Sequence, residues 1–303
     1  MGLLGKISGK KSGSKKRKKI GLALGGGASK GLAHIGVIRA LEEYGIPIDY
    51  VAGTSMGALV GGWYSLYGSI DSVEELITDL KRKDNILLTE IIRKNGKPLL
   101  KDRSILNIID REFGDAKIED CKIPFCAVAT DIKDGSEVVL DRGSLADAMK
   151  ASAAIPIVFD PVKIGDKMLI DGGLINPVPA NVVRAMGADI VIAVDVSTHW
   201  FDISAFPAGS LNWRNIYSVF NAMLSVLGYQ ISRDILKKAD VIIQPPVLGF
   251  DLFDFKSASH IIRCGYRETR NAMGNICSLS GCVSPKRSQM EKFWDFVFDL
   301  DQE

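Results

Sequence analysis

The chain has 303 residues, 47% of them hydrophobic and 24% charged, which suits one large α/β domain and excludes a mainly disordered polypeptide. Its net charge of +2 conceals an asymmetry: Lys6, Lys10, Lys11, Lys15, Lys16, Arg17, Lys18 and Lys19 crowd residues 1–19, with no acidic residue among them. Removing these eight from the 38 basic residues leaves 30 against 36 acidic ones, so the body is acidic and argues against a nucleic-acid-binding face.

No apolar run reaches the roughly 18 residues of a spanning helix, and the first residues lack the apolar core of a secretory signal, so a cytoplasmic location is expected. Cys121, Cys126, Cys264, Cys277 and Cys282 are an odd number without CxxC spacing and read as reduced thiols. His34, His199 and His260 show no zinc-ligand spacing, so no metal is expected.

Taken in chain order, residues 1–19 form a polar basic tail and 20–303 the folded body. A solubilising extension competes with contact to an anionic membrane surface, worth up to about 1 kcal/mol per basic residue. Met1-Gly2 opens like a myristoylation signal, but Lys6 stands where Ser or Thr is required.

Ile20 to Leu24 is an apolar run of strand length that feeds Gly25-Gly26-Gly27-Ala28-Ser29-Lys30-Gly31, after which Leu32, Ile35, Val37, Ile38 and Leu41 recur at helical spacing. A dinucleotide fingerprint needs glycine where Lys30 stands, and a P-loop needs Lys after the glycine rather than before Gly31, so no nucleotide cofactor is expected. The loop's side-chain-free N–H groups remain able to converge on an anion, as in an oxyanion hole. His34, on the helix behind it, reads as a packed, hydrogen-bonded residue rather than a catalyst.

Tyr50-Val51-Ala52 is short and β-prone, and Ala58 to Tyr64 is apolar enough to pack as a helix. Between them Gly53-Thr54-Ser55-Met56-Gly57 reads as a nucleophile elbow, with Ser55 exposed on a sharp turn at a helix N-terminus. Residues 71–83 start with a capping pattern and predict a surface helix. The apolar stretch 85–93 reads as core, with a cover over the site as the rival, and 104–113 as another helix.

Phe125 to Asp131 and Ser136 to Leu140 flank the turn Lys133-Asp134-Gly135 and predict a hairpin. Residues 144–154 predict a small-residue helix ended by Pro156. Met168-Leu169-Ile170 then predicts a strand ending in Asp171-Gly172-Gly173, a sequence that in isolation is a turn. Residues 190–196 are a strand buried on both faces, 213–236 an amphipathic helix whose stripe reads as core rather than lipid-binding, 241–244 a last strand, and 258–273 and 290–300 helices.

The motifs at 25–31, at His34-Ile35-Gly36-Val37, at 53–57 and at 171–173, in this order, resemble the bacterial patatin-like phospholipases near the neuropathy-target-esterase branch. Ala151-Ser152-Ala153-Ala154-Ile155-Pro156 is similar to the same pattern. The resemblance implies a Ser–Asp dyad with Ser55 as nucleophile and Asp171 as general base. It places the oxyanion hole at Gly25, Gly26 and Gly27, with Ser29, Lys30, Gly31, Gly53, Gly57, Gly172 and Gly173 in support. A three-layer α/β/α sandwich with a mostly parallel sheet and the site at its C-terminal ends is implied, as is a phospholipid, lysophospholipid or other fatty-acyl ester substrate. A triad of Ser55, Asp171 or Asp195, and His199 remains a rival, as does a lipid-binding adaptor without turnover. Whether 84–100 or 200–236 covers the site stays open.

Overall fold

The computed structural model describes residues 17–73, 104–156, 158–197, 216–250 and 254–282. In chain order its elements are β1 (Ile20–Leu24), α1 (Ala33–Glu43), β2 (Tyr50–Thr54), α2 (Met56–Tyr67), α3 (Ser104–Phe113), β3 (Phe125–Asp131), β4 (Glu137–Leu140), α4 (Leu145–Ser152), β5 (Val162–Ile164), β6 (Lys167–Asp171), α5 (Ala180–Ala185), β7 (Ile190–Val194), α6 (Ile216–Leu236), β8 (Val241–Ile243) and α7 (Ala258–Ser280).

Every residue of β1 is buried, and strand alternation divides it between two cores. Ile20, Leu22 and Leu24 pack with residues of α1, α2 and α7 on one face. Ala23 packs on the other with Val182 and Val183 of α5 and Leu236 of α6. That second face is lined by small residues, and a Cβ at Gly21 would overlap Val183, so α5 can lie unusually close to the sheet. Helices on both faces of one sheet give the expected three layers. Among the described residues no helix is long and apolar enough to cross a membrane.

The sheet order is β5-β6-β3-β2-β1-β7-β8, with β4 also on β3. The run from β3 through β2, β1 and β7 to β8 is parallel throughout, whereas β4, β6 and β5 are antiparallel additions at one side. The expected hairpin is present as β3 and β4. Neither β5 nor α5 was legible in the sequence, and α7 runs seven residues past the expected 273, to Ser280, stopping where Gly281 turns left-handed at φ +73. The segments 74–103 and 283–303, which hold most of the helix expected at 71–83, the apolar stretch at 85–93 and the helix at 290–300, lie outside the described residues.

The register on β3 determines where the site forms. β2 pairs with Phe125 to Val128, β4 with Ala127 to Thr130, and β6 with Ala129 to Asp131. A strand has only two edges, so Ala127 and Val128 put β2 and β4 on opposite sides, and Ala129 and Thr130 do the same for β4 and β6. β2 and β6 therefore lie end to end along one edge of β3, running towards each other. They stop on neighbouring rows, Thr54 beside Val128 and Asp171 beside Ala129. Asp171 thus comes from an antiparallel strand seated on the overhang by which β3 outruns β2, a refinement of a site placed simply at parallel strand ends.

At the opposite end of the sheet the chain enters β1 in a fixed setting. The Arg17 guanidinium donates to both carboxylate oxygens of Asp49 (2.8 and 2.6 Å), Lys18 Nζ to the Leu279 carbonyl, and Lys19 Nζ to the Tyr50 hydroxyl. Arg17, Lys18 and Lys19, which the sequence reading assigns to the tail, are therefore docked on the body.

Candidate active site

β2 ends at Thr54, and Ser55 takes φ +55 and ψ −123 before α2 begins. Among the described residues only Ser55 and Ala28 combine a side chain with positive φ, a conformation that costs an L-residue energy and persists only when its surroundings enforce it. The enforcement is visible: a Cβ at Gly57 would overlap the Leu24 carbonyl, and one at Gly53 would overlap Gly57 itself. The two glycines let β1, β2 and α2 converge, and the turn between them presents the Ser55 side chain over the β2–β6 joint.

Across that joint Ser55 Oγ donates to Asp171 Oδ2 at 2.6 Å, with both residues buried. Asp171 Oδ1 accepts the Gly173 N–H at 2.7 Å, its main-chain N–H donates to the Ala154 carbonyl at 3.0 Å, and its carbonyl accepts from Thr130 Oγ1 at 2.9 Å. A Cβ at Gly172 would overlap the Val128 carbonyl, so the chain leaves Asp171 pressed against β3. Burial raises the Asp171 carboxyl to about 6, against the downward pull of the Ser55 and Gly173 hydrogen bonds. A carboxylate of that basicity, in contact with a hydroxyl, is suited to take its proton near neutral pH.

The glycine loop lies against the serine, since a Cβ on Gly26 would stand 3.2 Å from Ser55 Cβ. Its donors differ from expectation. The Gly25 N–H is spent on the Val194 carbonyl (3.0 Å) and the Gly26 N–H on the Pro177 carbonyl (2.9 Å), because both residues are still tied to the sheet and to the loop after Asp171. Among the described residues, neither the Gly27 nor the Ala28 N–H donates to a carbonyl. Gly27 and Ala28 open the 3-10 turn Ala28–Leu32, in which Ser29, Lys30 and Gly31 are buried and Gly31 leaves no room for a side chain against Met56.

His34 is packed, as its sequence setting suggested. Its Nε2–H donates to the Gly25 carbonyl at 2.7 Å, which leaves Nδ1 the unprotonated nitrogen, and complete burial lowers its pKa to about 4. Asp195 Oδ1 accepts the N–H and O–H of Ser197, and His199, the third member of the rival triad, lies outside the described residues. So do 198–215 and all of 84–100.

Three supporting residues escaped the sequence reading. Thr54 Oγ1 donates to the Asn176 carbonyl at 2.8 Å, and the Asn176 side-chain amide donates to Glu137 and Asn181, fastening the elbow to the loop after Asp171. Ser152 Oγ accepts the Ser55 N–H at 2.9 Å. Only their places in Ala151 to Pro156 and in the 53–57 elbow marked Ser152 and Thr54; nothing local marked Asn176.

Residues 22–184 match the model of a family described as patatin-like phospholipase. An uncharacterized NTE family protein of Mycobacterium tuberculosis is 39% identical over 59% of this chain and 49% of its own length. The lysophospholipase NTE1 of Saccharomyces cerevisiae is 30% identical over 81% of this chain and 16% of its own. Among solved structures, VipD from Legionella pneumophila aligns with a TM-score of 0.48 at 13% identity, over 86% of this chain and 67% of that one. The chain thus spans about half the length of the mycobacterial relative and a much smaller part of the yeast one.

Proposed function

The chain belongs to the patatin-like phospholipase family, and from that membership we propose that it is a lipid acyl hydrolase working through Ser55 and Asp171. The observation that carries the reading is the 2.6 Å hydrogen bond between them, closed from bulk water, with a carboxylate basic enough to accept a proton. Asp171 takes the Ser55 proton as Oγ attacks an ester carbonyl. The oxyanion that develops is met by N–H donors at the start of the glycine turn, for which Gly27 and Ala28 are the available pair, and by the N-terminus of α2. Collapse expels the alcohol, which receives the proton from Asp171, and water then attacks the acyl-enzyme with Asp171 again as base.

The substrate class is a phospholipid, lysophospholipid or other long-chain acyl ester, supported by the family and by the name of the yeast relative. The basic residues ahead of Arg17 bring the enzyme to an anionic membrane surface from the cytoplasm as a peripheral protein.

The test is hydrolysis of a chromogenic acyl ester together with labelling by a serine-directed fluorophosphonate. Ser55→Ala and Asp171→Asn should each lower kcat by about a thousand-fold or more. The label should map to Ser55. Labelling at another serine, or turnover surviving Ser55→Ala, would sink the assignment.

A further inference from the structure

The segment Ala151 to Pro156 has no part in the chemistry just described, yet it touches every strand that meets at the site. Ser152 is the last residue of α4 and is completely buried. A hydroxyl has one proton to give, and Ser152 donates it to the Val128 carbonyl at 2.5 Å. Its oxygen accepts the N–H of Ser55, the residue on which β2 breaks into the elbow. Two residues later the Ala154 carbonyl accepts the N–H of Asp171, the residue on which β6 ends. One short segment therefore holds the tip of β2, the tip of β6 and the β3 row between them.

We propose that Ser152 is a positioning residue, and that residues 152–154 form a clamp that sets the separation of Ser55 Oγ from the Asp171 carboxylate. This rests on the dyad reading of the preceding section. Ser55 is held at positive φ, and its N–H has no partner in the sheet because β2 has ended. The Ser152 hydroxyl supplies that partner and fixes the strained peptide against β3. Because the Ala154 carbonyl belongs to the same segment, nucleophile and base, seated on neighbouring rows of β3, are also referenced to one frame where β2 and β6 do not pair with each other. Without the hydroxyl, the Ser55 N–H and the Val128 carbonyl both lose a buried partner, and the elbow is free to relax away from Asp171.

The experiment compares Ser152→Ala with wild type on a soluble chromogenic ester, with reactive sites counted by fluorophosphonate labelling. A residue with a purely structural role would reduce the number of labelled sites and leave turnover per site unchanged. The clamp predicts a fall in kcat per labelled site of about ten- to a hundred-fold with KM unchanged. It also predicts that the acid limb of kcat moves to higher pH, because a retreating Ser55 removes a hydrogen bond that lowers the Asp171 pKa. Turnover per site within about twofold of wild type, with the acid limb in place, overturns the proposal. Should Ser152→Ala fail to fold, the same ratio is read on Ser152→Cys, whose thiol is a weaker donor and acceptor; a partial fall supports the clamp and an unchanged ratio overturns it. Ser55→Ala run in parallel separates the two readings: full turnover there removes the dyad itself, whereas its loss beside an unimpaired Ser152→Ala removes the clamp alone.

Discussion

Asp171 and His34 are both buried titratable groups, and burial drives each towards its uncharged form, which moves their pKa values in opposite directions. Asp171 rises from 3.8 to about 6, so the folded chain binds more protons than the unfolded one between those values. Stability therefore falls as pH rises through that window, by about 3 kcal/mol once it is passed. His34 drops from 6.5 to about 4, so the folded chain binds fewer protons there, and stability falls by about 3 kcal/mol as pH is lowered through the same range. The two slopes oppose each other, and removing either group should unmask the other. Asp171→Asn should be more stable than wild type at pH 7 and lose stability steeply from pH 6.5 towards 4, whereas His34→Gln should gain stability as pH falls from 6 towards 4; denaturant midpoints at three pH values decide, and parallel curves for all three proteins would refute it. The catalytic counterpart is a kcat/KM that rises with pH about an apparent pKa near 6, since Asp171 must be ionised to act as base. At this scale the sequence showed what motifs can show. Ser55 and Asp171 were legible because their glycine neighbours mark the backbone they need. The spent N–H groups of Gly25 and Gly26 were not, because their acceptors, Val194 and Pro177, are brought in only by the folded sheet.

The pairing of α1 against α7 is built on two glycines whose role the periodicity of either helix does not disclose. A Cβ at Gly265 would overlap the Ala33 carbonyl, and one at Gly36 would overlap the Ile262 carbonyl, so the two backbones touch. Helix propensity predicts that Gly→Ala in a helix stabilises by up to about 1 kcal/mol. The contact predicts the reverse at Gly265, a loss of about 1–3 kcal/mol from overpacking, read as a lower melting temperature. Gly274, on the same helix, has nothing within 4 Å of the place a methyl would occupy, so Gly274→Ala should show the propensity gain alone. Opposite signs for the two substitutions would establish the crossing, and equal signs would refute it. Helix and strand existence was largely readable from spacing, while partner choice was not, since it depends on which surfaces the sheet order brings together. β5 and α5 went unseen because three and six residues are too few to show a period.

For the molecule as a whole, Arg17, Lys18 and Lys19 and the Ser55–Asp171 pair sit at opposite ends of the sheet. Arg17, Lys18 and Lys19 are committed to Asp49, Leu279 and Tyr50, so the membrane contact proposed above rests on Lys6, Lys10, Lys11, Lys15 and Lys16. Deleting residues 1–16 should leave the rate on a soluble ester within about twofold and reduce co-sedimentation with phosphatidylglycerol vesicles at low salt, an attraction that screening should abolish near 1 M salt. Equal sedimentation of the two proteins would show a solvated extension instead. The asymmetry of charge was plain in the sequence, but the place of Arg17 to Lys19 relative to the site was not, because that requires the direction of β1. The meeting of β2 and β6 on one edge of β3 has a further consequence, in time rather than in space. The hydrogen bond from Ser55 to Asp171 joins residues 116 apart in sequence, and that from Thr54 to Asn176 joins residues 122 apart. Helices close local contacts early, whereas pairings this distant must first meet the entropy of a long loop. On refolding from denaturant, helical ellipticity should therefore recover before fluorophosphonate reactivity, and Ser55 should become a nucleophile only in the last phase of the reaction.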